Sequence, residues 1–208
     1  MGGIMSLILQ GSTSGSVTLQ EPAIAGTTVL TLPAVSGTVL TTGSSGQSIP
    51  KAALPTGSVL QVVSVTKTDA FTSSATGTFT DITGMSASIT PTSSSSKILV
   101  LASATCSGQA SVSGSIIRLI RGSTAIDVGD AAGSRSPATT NAYQLDSGQS
   151  ECISINFLDS PATTSSTTYK LQFRIEGGTF YFNRSQSDGD NGGVGRFAST
   201  ITLMEIAA

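Results

Sequence analysis

The chain has 208 residues, enough for one good-sized domain with an appendage or for two small ones. Charged residues make up only 11%, and a net charge of -2 supplies no basic field for nucleic acid or for an anionic membrane surface. There is no His, which excludes a Ser-His-Asp triad, a Cys-His pair and any imidazole-held metal.

Low charge is compatible with disorder, but Val, Ile and Leu arrive here in short alternating bursts that disordered segments lack. Ser, Thr and Gly fill the gap, as in TSSSSK at 92–97 and TTSSTT at 163–168. This predicts an ordered all-β protein with a hydroxyl-rich surface, suited to an extracellular particle. The start, MGGIMSLILQ, has no basic n-region and does not read as a secretory signal. An extracellular site would then be reached by another route, such as lysis of a producing cell. Gly2 and Ser6 match a loose myristoylation pattern, which a start codon followed by small residues explains better. No apolar run approaches the ~18–20 residues of a membrane span, so no membrane insertion is expected.

An eleven-residue beat follows, with Gly15, Gly26 and Gly37 in step and Pro22 and Pro33 keeping the same interval. Each unit reads as a short strand, a turn around Pro-Ala, then Gly, because Pro belongs at strand ends and Gly supplies unusual backbone angles. The apolar residues of these units, among them Val17, Leu19, Val29, Leu30, Leu32 and Val39, are too few for a core. Units of this kind become stable when other copies supply the missing faces. Residues 1–42 are therefore read as an assembly stem, and 43–57 (GSSGQSIPKAALPTG) as a linker.

Strand signals fill 58–208, the expected head domain. They fall at 58–67, 77–83, 86–90, 97–105, 113–122, 124–129, 150–158, 168–177, 179–184 and 197–206, with no convincing helical period. That density is the mark of a β-sandwich or jelly roll. In FASTITLMEI the side carrying Ile201, Leu203 and Ile206 is expected to face the core. Arg118 and Arg121, in SIIRLIRG, read as an edge or rim with solvated heads. Cys106 and Cys152 are expected to be two free buried thiols, although a disulfide between them is possible.

Two polar stretches stand out as loops, 129–142 and 183–193. Asp188, Asp190 and Asn191 resemble the start of a calcium loop, but Gly192 and Ser199 occupy places where ligands are wanted, so no metal is expected. Two carboxylates this close in a loop, with no matching acid, do not make a glycosidase pair either. No phosphate-cradling glycine motif is present, and no cofactor is expected.

The segment GSTSGSVTLQEPAIAGTTVLTLPAVSGTVLTT resembles the stem sequence of tail-fibre-like proteins of tailed bacteriophages. TFYFNRSQSDGDNGGVGRFASTITLMEI is similar to the closing strands of the head domain often attached to it. Together the two segments cover about 60 of the 208 residues. The resemblance implies a homotrimeric virion protein, synthesised in the host cytoplasm, with an intertwined stem on the three-fold axis. Its outward-facing head would be a sandwich similar to tumour-necrosis-factor-like jelly rolls. The family supplies no catalytic residues, and the stem here is short for it, which favours a compact spike over a long fibre.

On this reading the chain is a non-enzymatic tail fibre or spike. Its partners are copies of itself, other virion proteins through residues 1–42, and a host-surface carbohydrate or protein. The candidate contact residues are Arg135, Asn141 and Tyr143 beside the first loop and Asn183, Arg184, Asp188, Asp190 and Asn191 in the second. A capsid decoration or head spike is the alternative, and a secreted carbohydrate-binding module of cellular origin is a third.

Overall fold

The computed structural model describes residues 7–10, 12–19, 51–108, 115–142 and 149–208. The chain falls into two units, Met1–Ser48 and Ile49–Ala208, so the segment 43–57 straddles the division. In the first unit, β1 (Leu7–Gln10) and β2 (Ser16–Leu19) pair as an antiparallel hairpin, with Leu7 opposite Leu19 and Leu9 opposite Val17. Gly15 closes the turn at φ +77, an angle that residues with a Cβ rarely adopt. Ile8 and Leu9 of this hairpin both remain more than half exposed. Val29, Leu30, Leu32 and Val39 lie outside the described residues.

The second unit is a β-sandwich whose layers follow from period-2 alternation. Its strands are β3 (Val59–Lys67), β4 (Phe71–Ser73), β5 (Thr80–Ile89), β6 (Lys97–Gly108), β7 (Ser115–Arg121) and β8 (Thr124–Ile126). They continue with β9 (Thr140–Ala142), β10 (Glu151–Asp159), β11 (Thr167–Arg174), β12 (Phe180–Phe182) and β13 (Ser199–Ile206). One sheet runs β3-β13-β6-β10, and the short pair β12-β4 extends it beside the end of β6. The other runs β5-β11-β7, with β8 and β9 sharing the far side of β7.

The antiparallel partners are nested: β3 with β13, β5 with β11, β6 with β10, and β7 with β8 and β9. Successive nested pairs alternate between the sheets, so the chain behaves as one long hairpin rolled up. This is the jelly-roll-like strand order.

The expected strands at 77–83 and 86–90 form a single strand, β5. Its register against β11 jumps between Lys170 and Gln172, where Gly84 takes φ +86. A bulge of this kind absorbs extra residues without ending the strand.

Between the sheets lie Ile98, Val100 and Ala102 of β6, Ile117 and Leu119 of β7, and Tyr169, Leu171 and Phe173 of β11. Phe173 and Phe180 stack with centroids 4.3 Å apart, and Phe71 meets Phe173 edge-on at 6.0 Å. Each such side chain contributes about 1.5–3 kcal/mol by leaving water. Ile201 and Leu203 of β13 face this core, but Ile206 does not. Pleating places Glu205 inward instead, fully buried. Its carboxylate accepts hydrogen bonds from Gln61 Nε2 and from the Thr92 N–H and Oγ1, each at 2.6 Å.

The two cysteines are not joined in a disulfide, and they differ. Cys106 is buried and Cys152 exposed, because Cys152 lies opposite Thr105 and the neighbouring position projects to the other face. Burial pushes the Cys106 thiol well above its ordinary value, with the nearby Glu151 adding to the shift.

Candidate functional site

The connection from β8 to β9 covers one end of the second sheet. Gly129 N–H bonds Ala138 O at 3.1 Å, and Thr139 N–H bonds Ile117 O at 2.9 Å. Thr139 Oγ1 also accepts the Leu119 N–H at 2.9 Å, so the loop is fastened along β7. A tight turn at its tip joins Ala132 O to Arg135 N–H at 3.2 Å. Between this loop and the ends of β7 and β11 lies an open groove of about 590 Å3.

Arg174 forms one wall of the groove. Its Nε and Nη2 hold Glu176 Oε1 at 2.7 and 2.6 Å, and its Nη1 donates to Ser136 Oγ at 2.8 Å. Ile116 and Pro137 supply apolar lining. Arg135 and Asn141 both line the groove, so the structure brings these two candidate residues together. Asp130 lines it too, and among the described residues no side-chain partner occupies Arg135, Asn141 or Asp130. Tyr143 lies outside the described residues.

A charged lattice continues from the groove across the outer face of the second sheet. Arg118 lies 3.7 Å over the Phe79 ring and donates to Gln172 Oε1 at 2.9 Å. Asp81 accepts from Gln172 at 2.6 Å and from Lys170 at 2.7 Å. Burial pushes the Asp81 carboxyl up, but these two bonds outweigh it and hold the group below its ordinary value. Neither arginine of β7 is a solvated rim residue, because β7 is paired on both sides. Arg118 is stacked on the ring, while Arg121 turns inward to the buried Asp159 at 2.7 and 2.9 Å. Asp159 also accepts the Tyr169 hydroxyl at 2.6 Å.

The second candidate loop is arranged differently. Asn183 is fully buried and not a surface contact. Its Nδ2 donates to Lys67 O and Asp69 O at 2.9 and 3.2 Å, and its Oδ1 accepts from Ser199 at 2.6 Å. Its backbone takes φ +59, an angle asparagine tolerates better than most residues.

Arg184 and Arg196 both engage Asp188, at 3.2 and 2.8 Å. The carboxylate that looked like a calcium ligand is thus neutralised by two guanidinium groups. Asn191 Oδ1 accepts the Gly193 N–H at 3.0 Å, which folds the tip on itself. Asp190 stands exposed beside it. No residue of 183–193 lines the 590 Å3 groove.

The sequence reading missed Ser136, Arg174 and Glu176. For Arg174 a signal existed: alternation in TYKLQFR puts Lys170, Gln172 and Arg174 on one side of β11, opposite the buried Tyr169, Leu171 and Phe173.

The outer face of the first sheet has the opposite character. Val62, Met204, Leu99 and Leu158 lie side by side across four strands, and Val62 and Leu158 are 54% and 50% exposed. The next rows are Ser64, Thr202, Leu101 and Asn156, then Thr66, Thr200, Ser103 and Ser154. No residue of the three rows is charged. Ser64 bonds Thr202 at 2.8 Å and Thr66 bonds Thr200 at 3.0 Å.

No protein-family model matches the chain, and no curated protein matches it. Solved structures of infectious bursal disease virus are similar to it at low level. The Gt strain gives a TM-score of 0.38 at 17% identity, covering 99% of this chain and 47% of that one. The T13 particle of the same virus gives 0.38 at 15% identity, covering 93% and 42%. The chain thus spans less than half the length of the proteins it matches. Likenesses of this size assign neither family nor activity.

Proposed function

We propose that the protein is a non-enzymatic structural protein of a bacteriophage virion, a homotrimeric tail fibre or spike. Residues 1–42 dock on the virion, and the head, residues 58–208, presents its loops to the host surface. The observation that carries the self-assembly is the three uncharged rows on the outer face of the first sheet, which are bounded at one end by Lys97, bonded to Ser160 at 3.0 Å. Covering an ion costs several kcal/mol unless it is paired, so a face meant to be covered carries none. Its occupants on this reading are second and third copies of the chain, arranged around a closed three-fold axis. The half-exposed Ile8 and Leu9 of the β1–β2 hairpin support the same reading, since a two-stranded hairpin is marginal alone.

Three copies on one particle would let weak sites act through avidity. Sedimentation equilibrium at micromolar concentration tests the assembly: a trimer is expected, and a clean monomer overturns it. A capsid decoration or head spike that stabilises the shell is the alternative reading. Labelling the protein in intact particles separates the two, by decoration of the head or of the tail.

A further inference from the structure

We infer that the groove beneath the β8–β9 loop is a binding site for an uncharged saccharide. The inference rests on the reading of the second unit as the host-facing part of a virion protein, and it names the class of ligand.

The groove's chemistry sets the class. Its charged lining residues, Asp130, Glu176, Arg135 and Arg174, sum to zero. An anionic ligand or a nucleic acid calls for a net positive site, and a metal calls for clustered acids. Among the described residues no such cluster exists. What the groove offers is planar groups that each present two hydrogen-bonding atoms side by side. They are the carboxylate of Asp130, the guanidinium of Arg135 and the carboxamide of Asn141, a mixture of donors and acceptors. Neighbouring sugar hydroxyls each donate and accept, and therefore match such a mixture.

The wall is already rigid. Glu176 and Ser136 immobilise Arg174, and Glu176 Oε2 and the Ser136 proton remain available to a ligand. Ile116 and Pro137 provide apolar surface for the C–H face of a pyranose ring. The volume of about 590 Å3 lies within the ordinary range of small-molecule sites. Because Arg174 is held before binding, this wall adds little ordering cost, and the ordering falls on Asp130, Arg135 and Asn141.

The test uses the full-length protein on an array of neutral oligosaccharides built from glucose, galactose, mannose, rhamnose and N-acetylglucosamine. Sialylated and uronate-bearing counterparts sit beside them. Binding to a neutral member is expected, with little dependence on salt. Arg135→Ala and Asp130→Asn should each weaken it about tenfold, the size of one hydrogen bond to a charged group. Both positions are exposed, so circular dichroism and the trimer state should not change. Thr164→Lys, on the β10–β11 connection away from the groove, should bind like the parent.

Binding to no neutral member overturns the proposal. So does binding confined to acidic members that collapses with salt, or binding indifferent to both groove substitutions. Loss of the trimer, or absence of the protein from purified particles, would instead strike the virion reading, whatever the array shows.

Discussion

Leu158→Lys places one charge at the edge-strand end of the apolar row on the first sheet's outer face. In the separate protomer the position is already 50% exposed, so the substitution should change stability by no more than about 0.5 kcal/mol. In a trimer that covers this face the arithmetic differs. The remaining half of the leucine side chain would be worth about 1 kcal/mol on burial. The incoming ammonium would be buried without a partner, since its row neighbours are Leu99, Met204 and Val62. That adds several kcal/mol, for a total near 3–4 and a loss of about two to three orders of magnitude in association. Sedimentation equilibrium of parent and variant from about 0.1 to 10 μM would show the parent trimeric and Leu158→Lys monomeric. Far-UV circular dichroism should be unchanged. Thr164→Lys adds the same charge elsewhere and should stay trimeric. If Leu158→Lys remains fully trimeric, the first sheet's outer face is not where the copies meet, and the argument from its missing charge fails.

Further outcomes follow from the same contacts. Cys152 lies just beyond the hydroxyl rows of that face, so a thiol reagent should modify it faster in Leu158→Lys than in the parent; equal rates would count against burial of the face. Cys106 should react only after unfolding, because burial both hides it and disfavours its thiolate. Asn183→Ala removes the donors to the buried Lys67 carbonyl and the part-buried Asp69 carbonyl and puts alanine, which tolerates the angle less well than asparagine, at φ +59, which should cost about 2–4 kcal/mol in urea unfolding. Glu205→Gln should cost about 1–3 kcal/mol at neutral pH. In the parent, burial pushes the Glu205 carboxyl up, but bonds from Thr92, Ser96 and Gln61 outweigh it and hold the folded group below its ordinary 4.5. Its stabilisation is therefore complete above pH 4.5 and fades as pH falls through the lower folded value. The gap between parent and Glu205→Gln should narrow over that acid range and not above it; a gap constant with pH would remove the carboxylate from the account.

The long strands were legible because alternation over eight or more residues has one dominant reading. In KILVLASATC, for instance, Ile98, Val100, Ala102, Ala104 and Cys106 all turn inward. The strands β4 and β9 have three residues each and give alternation nothing to act on. Gly84 made one strand look like two, since a bulge and a turn share the same residue preference. Glu205 was passed over because an acid at a core position looks like a phase error until its four donors, brought by β3 and the β5–β6 connection, are seen. The groove escaped for a similar reason. Ile116, Ser136 and Arg174 are far apart in the chain, and only the nested pairing of β7, β9 and β11 gathers them. Composition marked both polar loops equally, but it could not tell a groove wall from Asn183, whose amide fastens β12 to the end of β3.

Scarcity of charge first looked like uniform dilution by Ser and Thr, yet the fold partitions it. Lys67, Arg121, Asp159 and Glu205 are held by bonds at the margins of the core. Arg118, Lys170, Arg174 and Asp81 share the second sheet's outer face. The three rows on the first sheet have none. A face poor in ions but rich in hydroxyls would still resist burial if each hydroxyl were left without a partner. Here the cross-strand pairs Ser64–Thr202 and Thr66–Thr200 already satisfy one another. Covering that face would remove Val62, Leu99, Leu158 and Met204 from water and leave Asn156 and Ser154 as the polar groups that a partner copy has to satisfy. The hydroxyl ladder and the apolar row are two parts of one arrangement: a surface stable enough in water to let the protomer fold, and cheap to dehydrate when copies meet.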